Sequence, residues 1–431
     1  MQFFRKLFGL LRPETPPAPA ATPPAQPAAP GASTPVAERI LFVWQEMLDG
    51  QSQIAGYRLQ ARALDKRNVI SGTAIRAALL AENVHHAGGQ RPLLISLTVE
   101  QWQTADFSEI IAPQTFILLS DLESDPAPQQ RLAEIRAAGA RTAIHDHAAG
   151  ADSGDWPLDL VLFAFRKTEL ATQEKHLQSL RQRPGLLLVA DGVESWAEHR
   201  LCQRIGFKLS IGGFAGTRDQ EAPPGKISES RLVVLDMLNQ IRSDAELGAL
   251  AATALRDPAV VVKLLDMANS PLYGLPRKVA SLEEAITLLG RDALYRWLSL
   301  ALFNIEGNDG RDRTLLVLAL CRAALLEGLA TGHGKQTADE AFLVGLLSIA
   351  DSLLDRPMAD VLAHIHLPAA VKAALLHNEG HHARFLQLAI MLERCRLDQA
   401  VVLAGALQLS PATLIESYRK ALGWASAVLD Q

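Results

Sequence analysis

The sequence predicts two folded domains, an α/β domain followed by an all-α domain, behind a short N-terminal arm. Short apolar runs alternate with helical patterns through residues 37–220. Residues 221–431 carry a succession of helix signals and no convincing strand. A proline-rich stretch at residues 13–36 separates these domains from residues 1–12. At roughly 100 to 200 residues per domain, a chain of this length accommodates two or three.

The composition of the chain limits the kinds of partner that it is expected to bind and the cellular compartment that it suits. The chain has 431 residues, with 42 Lys and Arg against 47 Asp and Glu, a formal net charge of -5. This balance argues against nucleic acid as the main partner, because binding phosphates requires a concentrated basic surface. Cys202, Cys321 and Cys395 lie far apart in sequence, so we expect neither disulfides nor a cysteine zinc site, and a reducing cytoplasm fits best. No apolar run approaches the ~20 residues of a transmembrane helix.

The N-terminal arm consists of a predicted amphipathic helix and a tether. Residues 1–12 read MQFFRKLFGLLR, which places the apolar side chains on one side of a short, basic helix. The tether, residues 13–36, holds nine of the 23 prolines and is expected to be disordered. The helix either docks, on the inner face of a membrane or in the groove of a partner, or is a frayed terminus. The tether favours docking, because it lets the helix act at a distance.

The α/β domain is predicted from strands that alternate with helices, an order that implies parallel pairing. The predicted strands are residues 54–64, 93–97, 116–120, 142–145, 158–163, 186–190 and 208–211. The predicted helices between them are residues 74–85, 129–138, 168–181 and 196–205. Either a barrel or a doubly wound sheet satisfies this order. Some 180 residues would be compact for an eight-stranded barrel, which typically needs ~250.

The all-α domain is predicted from helix start and stop signals. Three serine or threonine residues have the capping-box spacing to a glutamate three positions on, namely Ser243, Ser281 and Thr337. Asp257 and Ser410 each precede a proline, which suits the first position of a helix. Stops are predicted at Asn269, before Pro271, and at Gly290.

Within this helical region, residues 257–303 closely resemble the HDOD domain, an all-helical relative of the HD phosphohydrolases. The matching elements are Asp-Pro, Leu-Leu-x-Met-Ala-Asn-Ser, Tyr-Gly and Ile-x-x-Leu-Gly. Active HD enzymes hold metals through an adjacent His and Asp, and the resemblance aligns Ser348 and Ile349 with that pair. Asp351 alone makes a weak metal site. A third reading, a phosphohydrolase in this half, therefore has little support.

Histidine clusters offer no better metal site. His377 and His381 have helical spacing around Glu379, but the order differs from the H-E-x-x-H arrangement of zinc proteases. His364 and His366 are two positions apart and point to different sides of a helix. We predict neither a metal nor another cofactor.

The α/β region resembles, motif by motif, the EAL-type barrel, whose active members use two divalent cations to hydrolyse cyclic di-GMP. The resembling segments are GYRLQAR, PLLISLT, RTAIHDH, DLVLFAF and VADGVES. Where the family holds metal ligands or catalytic groups, this chain carries other residue types, namely Arg58, Ser96, His145, Leu162 and Ala164. It keeps acidic residues at Asp146, Asp191 and Glu194. A permanently charged guanidinium among them opposes binding of two cations, so the resemblance implies a degenerate domain.

Together the two resemblances imply an inactive signalling scaffold of EAL-HDOD organisation, a compact degenerate EAL-type barrel followed by an HD-like helical domain. We expect it to act through signalling proteins of unknown identity, in a pathway linked to cyclic di-GMP, motility or surface behaviour. The alternative is a ligand-gated receptor that binds a cyclic dinucleotide without hydrolysing it. Its candidate binding residue is Arg62, which matches a family arginine that contacts the nucleotide phosphate. The predicted location is the cytoplasm or the inner face of the membrane.

Overall fold

The computed structural model describes residues 40–64, 70–84, 91–148, 156–165, 170–222, 227–269, 279, 281–304, 310–363 and 365–429. The predicted arm and tether lie outside the described residues.

Eight strands form a closed barrel in sequence order. They are β1 (Ile40–Leu48), β2 (Ile54–Ala63), β3 (Leu93–Leu97), β4 (Thr115–Leu119), β5 (Arg141–His145), β6 (Leu160–Ala164), β7 (Leu187–Asp191) and β8 (Leu209–Ile211). β1 runs antiparallel to both its neighbours, pairing with β2 along its length and with β8 only through Leu48 and Ser210. The other pairs are parallel. The structure decides between the two predicted α/β architectures, because the sheet is closed.

All seven predicted strands are present, whereas β1 was missed. Its sequence, ILFVWQEML, is buried on almost every residue, so apolar residues do not alternate with polar ones. Without that alternation the hydrophobic period cannot identify a strand. A short continuous apolar run is as compatible with a buried helix as with a buried strand.

Helices connect the parallel strands and cover the outside of the barrel. They are α1 (Gly72–Ala81), α2 (Val99–Thr104), α3 (Pro128–Ala137), α4 (Leu170–Arg181) and α5 (Trp196–Arg204). The inside of the barrel is a separate, dry cluster of apolar side chains that includes Met47, Phe116 and Leu162. The barrel is therefore filled by side chains and has no central pore.

The second domain is helical throughout its described residues. Its helices are α6 (Glu229–Arg242), α7 (Leu247–Ala254), α8 (Pro258–Ala268), α9 (Leu282–Asn304), α10 (Gly310–Ala330), α11 (Lys335–Leu347), α12 (Ala350–Leu354), α13 (Met358–Ala363), α14 (Ala369–Lys372), α15 (Gly380–Glu393), α16 (Leu397–Ala406) and α17 (Pro411–Leu429). A π-helical segment, Ala373–His377, follows α14. This agrees with the all-α prediction.

Three of the five predicted helix starts are confirmed by capping hydrogen bonds. The side chains of Asp257, Ser281 and Ser410 accept from backbone N–H groups of Ala259, Glu284 and Thr413, at 2.7, 3.1 and 3.1 Å. The other two predictions are wrong. Ser243 ends α6, and Thr337 lies inside α11, where its hydroxyl donates to the carbonyl of His333. Serine and threonine hydroxyls bond backbone carbonyls as readily as they cap, which is why the spacing misleads.

Gly290 breaks α9 as predicted, but the chain then resumes as helix. Its φ of +71° is a left-handed conformation that a residue without a Cβ adopts without strain. The axis is kinked at this point, and residues on both sides remain helical.

α10 and the 3₁₀ turn after it, Gly310–His333, are long and apolar enough to cross a membrane. The bent pair of α16 with the start of α17 passes the same test when it is counted as one span. Of the most apolar window of Gly310–His333, 67% is buried inside the fold, and Leu315, Leu320 and Leu326 are fully enclosed. The apolar character of α10 is used in packing the helical domain.

The two domains share one continuous apolar core, and β1 is where they meet. Because a short hairpin joins β1 to β2, no crossover helix covers the outer face of β1. α15 and α17 of the helical domain contact this strand instead. The backbone N–H of Trp44 in β1 donates to the Tyr418 hydroxyl at 3.2 Å, and the Thr314 hydroxyl donates to the carbonyl of Ser52 at 2.8 Å.

Candidate functional site

The carboxyl ends of the parallel strands meet at one end of the barrel, which we call the barrel mouth. Loops and strand ends at this position carry the functional residues of most α/β barrels. Arg58 on β2, Ser96 on β3, His145 on β5 and Asp191 on β7 contribute to it. These are four of the positions that the sequence aligned with catalytic or metal-binding residues, and the fold brings them to the same end.

Arg58 is fixed in the barrel mouth by two acceptors. Its Nη1 lies 2.8 Å from Oδ2 of Asp191, and the two side chains are 11% and 26% exposed. With the Gln60 amide in the orientation that satisfies both groups, its oxygen accepts from Nη2 and Nε of Arg58 at 2.6 and 2.9 Å. The guanidinium therefore neutralises one of the carboxylates that a metal ion would need.

The other two retained acidic residues lie in separate environments. Asp146 is buried, and its Oδ1 accepts from the backbone N–H of Ala164 at 3.3 Å. Glu194 is exposed to solvent. Leu162, at the position of the family's catalytic lysine, is completely buried inside the barrel, where it has no polar atom to offer. Among the described residues, no group of three or more His, Cys, Asp or Glu is close enough to hold a metal ion.

His145 faces the same site as a neutral imidazole. Burial lowers its pKa from the ordinary 6.5, and the nearby positive charge of Arg58 lowers it further. At neutral pH the ring adds a hydrogen-bonding group to the barrel mouth but no charge. Among the described residues that line the site, the positive charge comes from Arg58 and Arg62.

A cavity of about 310 Å³ opens in the barrel mouth. Its lining includes both Arg58 and Arg62, and none of its described lining residues is acidic. Two of its polar atoms, Nε of Arg62 and Oγ of Ser96, are buried without a hydrogen-bond partner. Buried polar groups are nearly always satisfied, so these atoms indicate a place for a polar molecule. The charge and the unmet donor both favour an anion.

Arg62, the candidate binding residue, is also bound by the helical domain. Its Nη2 lies 2.5 Å from Oδ1 of Asp398, in the first turn of α16. The Asp398 side chain is 83% exposed, whereas that of Arg62 is only 21% exposed. The predicted residue thus lies in the cavity, and a carboxylate already occupies one of its donors.

A second cavity, of about 340 Å³, lies between the barrel and the helical domain, at the position aligned with the HD metal site. Arg322 of α10 binds Glu393 through two hydrogen bonds of 2.7 Å and donates to the Ser348 hydroxyl at 2.9 Å. Ile349 is fully buried and apolar. Asp351 is partly buried rather than exposed, and burial raises its pKa. Here too an arginine lies where the resemblance placed metal ligands.

Glu46 on β1 lies near the Arg322–Glu393 ion pair, on the barrel side of the domain interface. Burial in the domain interface raises its pKa from 4.5 to about 7, and the negative charge of Glu393 adds to this effect, while Arg322 opposes it. Arg322 is bound by Glu393, and Glu46 is a second acidic group near this pair that burial holds toward its neutral form. Sequence reasoning missed Glu46, Arg322 and Glu393, because residues 46, 322 and 393 meet only through the docking of the domains.

The histidines of the helical domain do not form a metal site among the described residues. His382 is buried, and its Nε2 lies 3.2 Å from Glu340. His377 ends the π-helical segment and Asn378 adopts a left-handed conformation, so the predicted helical spacing to His381 is interrupted.

Residues 231–366 match the model of the HDOD domain. The predicted HDOD domain in the helical half of the chain is therefore confirmed for these residues. The chain is 25% identical over 323 residues to the uncharacterized protein YuxH of Bacillus subtilis, covering 73% of this chain and 78% of that protein. It is also 25% identical over 208 residues to the cyclic di-GMP phosphodiesterase CdgJ of Vibrio cholerae, with 48% of each chain covered.

Two solved structures are similar to part of this chain. The PaMucR phosphodiesterase in complex with c-di-GMP is 14% identical, with a TM-score of 0.33, over 40% of this chain and 89% of that one. The Bacillus subtilis YkuI protein, which has an EAL domain and was solved with c-di-GMP and calcium, is 13% identical, with a TM-score of 0.34, over 40% and 54%.

Proposed function

We propose that this EAL-HDOD chain is a catalytically inactive signalling adaptor that works through protein-protein contacts in a cyclic di-GMP-linked pathway. The observation that carries the proposal is the ion pair of Arg58 with Asp191 in the barrel mouth. Two-metal hydrolysis needs several carboxylates around two adjacent cations. Here the guanidinium of Arg58 is bound to the carboxylate of Asp191. A metal cation at the same carboxylate oxygen would be repelled by the positive charge of Arg58 at close range.

The HDOD domain supports the same conclusion independently. Arg322 donates hydrogen bonds to both carboxylate oxygens of Glu393. The positions aligned with the His-Asp pair carry the hydroxyl of Ser348 and the alkyl side chain of Ile349. Neither a hydroxyl nor an alkyl group replaces imidazole and carboxylate as ligands of a divalent cation. Both domains thus share one feature, an internal arginine in place of metal chemistry.

The surface of the helical domain supports an adaptor role. Seven large apolar side chains among the described residues are exposed, and six of them belong to this domain. They are Leu232, Leu255, Val262, Leu288, Leu376 and Val402. In this proposal these side chains supply apolar contacts to a protein partner. In this proposal the arm, residues 1–12, adds a tethered docking element that brings the adaptor to a partner or to the inner face of the membrane.

A hydrolysis assay tests the proposal. Purified full-length protein is incubated with cyclic di-GMP and Mn²⁺ or Mg²⁺, beside the Asp146→Ala variant and an active phosphodiesterase as positive control. We expect the wild type and the variant to give the same background. Metal-dependent turnover by the wild type above that of Asp146→Ala would overturn the proposal.

A second candidate function, binding of an intact cyclic dinucleotide, is favoured by the cavity in the barrel mouth. Its two arginines, its lack of acidic lining residues and the buried, unpartnered Nε of Arg62 suit a phosphate group. A volume of about 310 Å³ is at the lower end of ligand pockets, which span ~300–1,000 Å³, so a dinucleotide would fill it and extend to its rim. Calorimetric titration with cyclic di-GMP tests this function, with Arg62→Ala as the variant expected to abolish binding.

A further inference from the structure

The ion pair between Arg62 and Asp398 joins the cavity of the barrel mouth to α16 of the helical domain. We infer that Asp398 is an internal competitor of the anionic ligand for Arg62, so that ligand binding and this contact of α16 with the barrel oppose each other. This inference rests on the second candidate function, the binding of a phosphate-bearing ligand in this cavity.

The geometry shows that Arg62 already holds an oxyanion. Oδ1 of Asp398 lies 2.5 Å from Nη2 of Arg62. Nε of the same guanidinium is buried without a hydrogen-bond partner. A phosphate binds a guanidinium best through two parallel hydrogen bonds. To make both, it must take a nitrogen that Asp398 uses or crowd its charge against the carboxylate. Binding therefore requires Asp398 to withdraw.

Displacing Asp398 from Arg62 requires little free energy. Its side chain is 83% exposed, and it lies in the first turn of a helix that follows Cys395, a residue with a left-handed φ of +51°. Exposed ion pairs contribute little to stability. The phosphate contact is more enclosed, because Arg62 is only 21% exposed. The ligand is therefore expected to displace Asp398 from Arg62. Its affinity is lower by the free energy of the Arg62–Asp398 ion pair.

Other contacts hold the domains together when this one is released. Tyr418 accepts from the backbone of β1, Thr314 donates to the hairpin after it, and Arg419 of α17 donates to Glu82 at the end of α1 at 2.9 and 3.1 Å. The expected response is thus a local release of α16, not separation of the domains. Val402 lies on the same helix and is 74% exposed, so it would move when α16 moves. Ligand binding would in this way alter a surface available to a protein partner.

The test uses calorimetric titration of full-length protein with cyclic di-GMP at fixed ionic strength. Asp398→Asn removes the competing charge and keeps the shape of the side chain. Asp360→Asn is the matched control, because Asp360 is likewise an exposed acid in the first turn of a helix, α13, of the HDOD domain. Asp398→Asn should bind about two- to fivefold more tightly than wild type, the equivalent of one exposed ion pair. Asp360→Asn should match wild type, and Arg62→Ala should not bind.

Equal affinities of wild type and Asp398→Asn, or weaker binding by the variant, would overturn the inference and leave nucleotide binding intact. Absence of binding to wild type and to Asp398→Asn alike would overturn both. Hydrogen exchange supplies a second readout, since saturating cyclic di-GMP should speed exchange in residues 397–406 of the wild type. In Asp398→Asn those amides should exchange at the fast rate without ligand.

Discussion

The partly buried Glu46 makes the stability of this protein depend on pH in a way that one substitution should remove. Because burial raises its pKa from 4.5 to about 7, the folded state favours the protonated carboxyl. The stabilising contribution is complete below pH 4.5 and is lost as the pH rises to about 7. Glu46→Gln keeps the side chain neutral at every pH and should abolish this loss.

The magnitude follows from the size of the shift. The difference between 4.5 and about 7, at ~1.4 kcal/mol per pH unit, gives an upper limit of about 3.5 kcal/mol. Glu46→Gln should therefore be nearly as stable as wild type at pH 5 and more stable at pH 8, by up to this amount. In thermal unfolding this upper limit at pH 8 corresponds to roughly 4 °C for a protein of this size.

Thermal unfolding at pH 5 and pH 8, followed by circular dichroism, measures this effect. The matched control is Glu416→Gln, because Glu416 is a surface residue whose carboxylate pairs with Lys420 at 3.0 Å. Comparing each variant with wild type at the same pH cancels the titration of His145, Asp351 and the other groups. If Glu46→Gln follows the wild-type pH profile in parallel, the carboxyl is not held in a desolvated interface and the reasoning fails.

Two further predictions follow from the interface and the arm. Arg322→Met should destabilise the fold by up to ~3–5 kcal/mol, because it leaves the partly buried carboxylate of Glu393 near Glu46 without its cation. The double variant Arg322→Met, Glu393→Leu should recover most of this loss in chemical unfolding, and a single variant as stable as wild type would contradict the prediction. Deleting residues 1–12 should leave the melting temperature unchanged and alter partner capture or membrane association in cell fractionation, whereas a lower melting temperature would place this segment in the core.

The sequence predicted most of the architecture, because most elements carry local signals. The strands that alternate with helices and the caps at Asp257, Ser281 and Ser410 are fixed by residues only a few positions apart. β1 was missed for the opposite reason. The helical domain covers its outer face, so its pattern reflects a contact with residues more than 300 positions away.

The candidate site was only half predictable. Motif positions located Arg58, Arg62 and Asp191 in the barrel mouth, because parallel strands end at the same edge. They could not reveal that Arg58 pairs with Asp191, since the pairing depends on side-chain reach across the barrel. Asp398 carried no signal, because an exposed acid near the start of a helix is ordinary in any sequence.

The central claim is that internal arginines replace metal chemistry in both domains of this chain. The most direct measurement is the rate at which the full-length protein converts cyclic di-GMP to linear product in the presence of Mn²⁺, followed by chromatography. The account predicts a rate equal to that of Asp146→Ala and to the background without protein. A wild-type rate that rises with protein and Mn²⁺ concentration, and falls in Asp146→Ala, would contradict it.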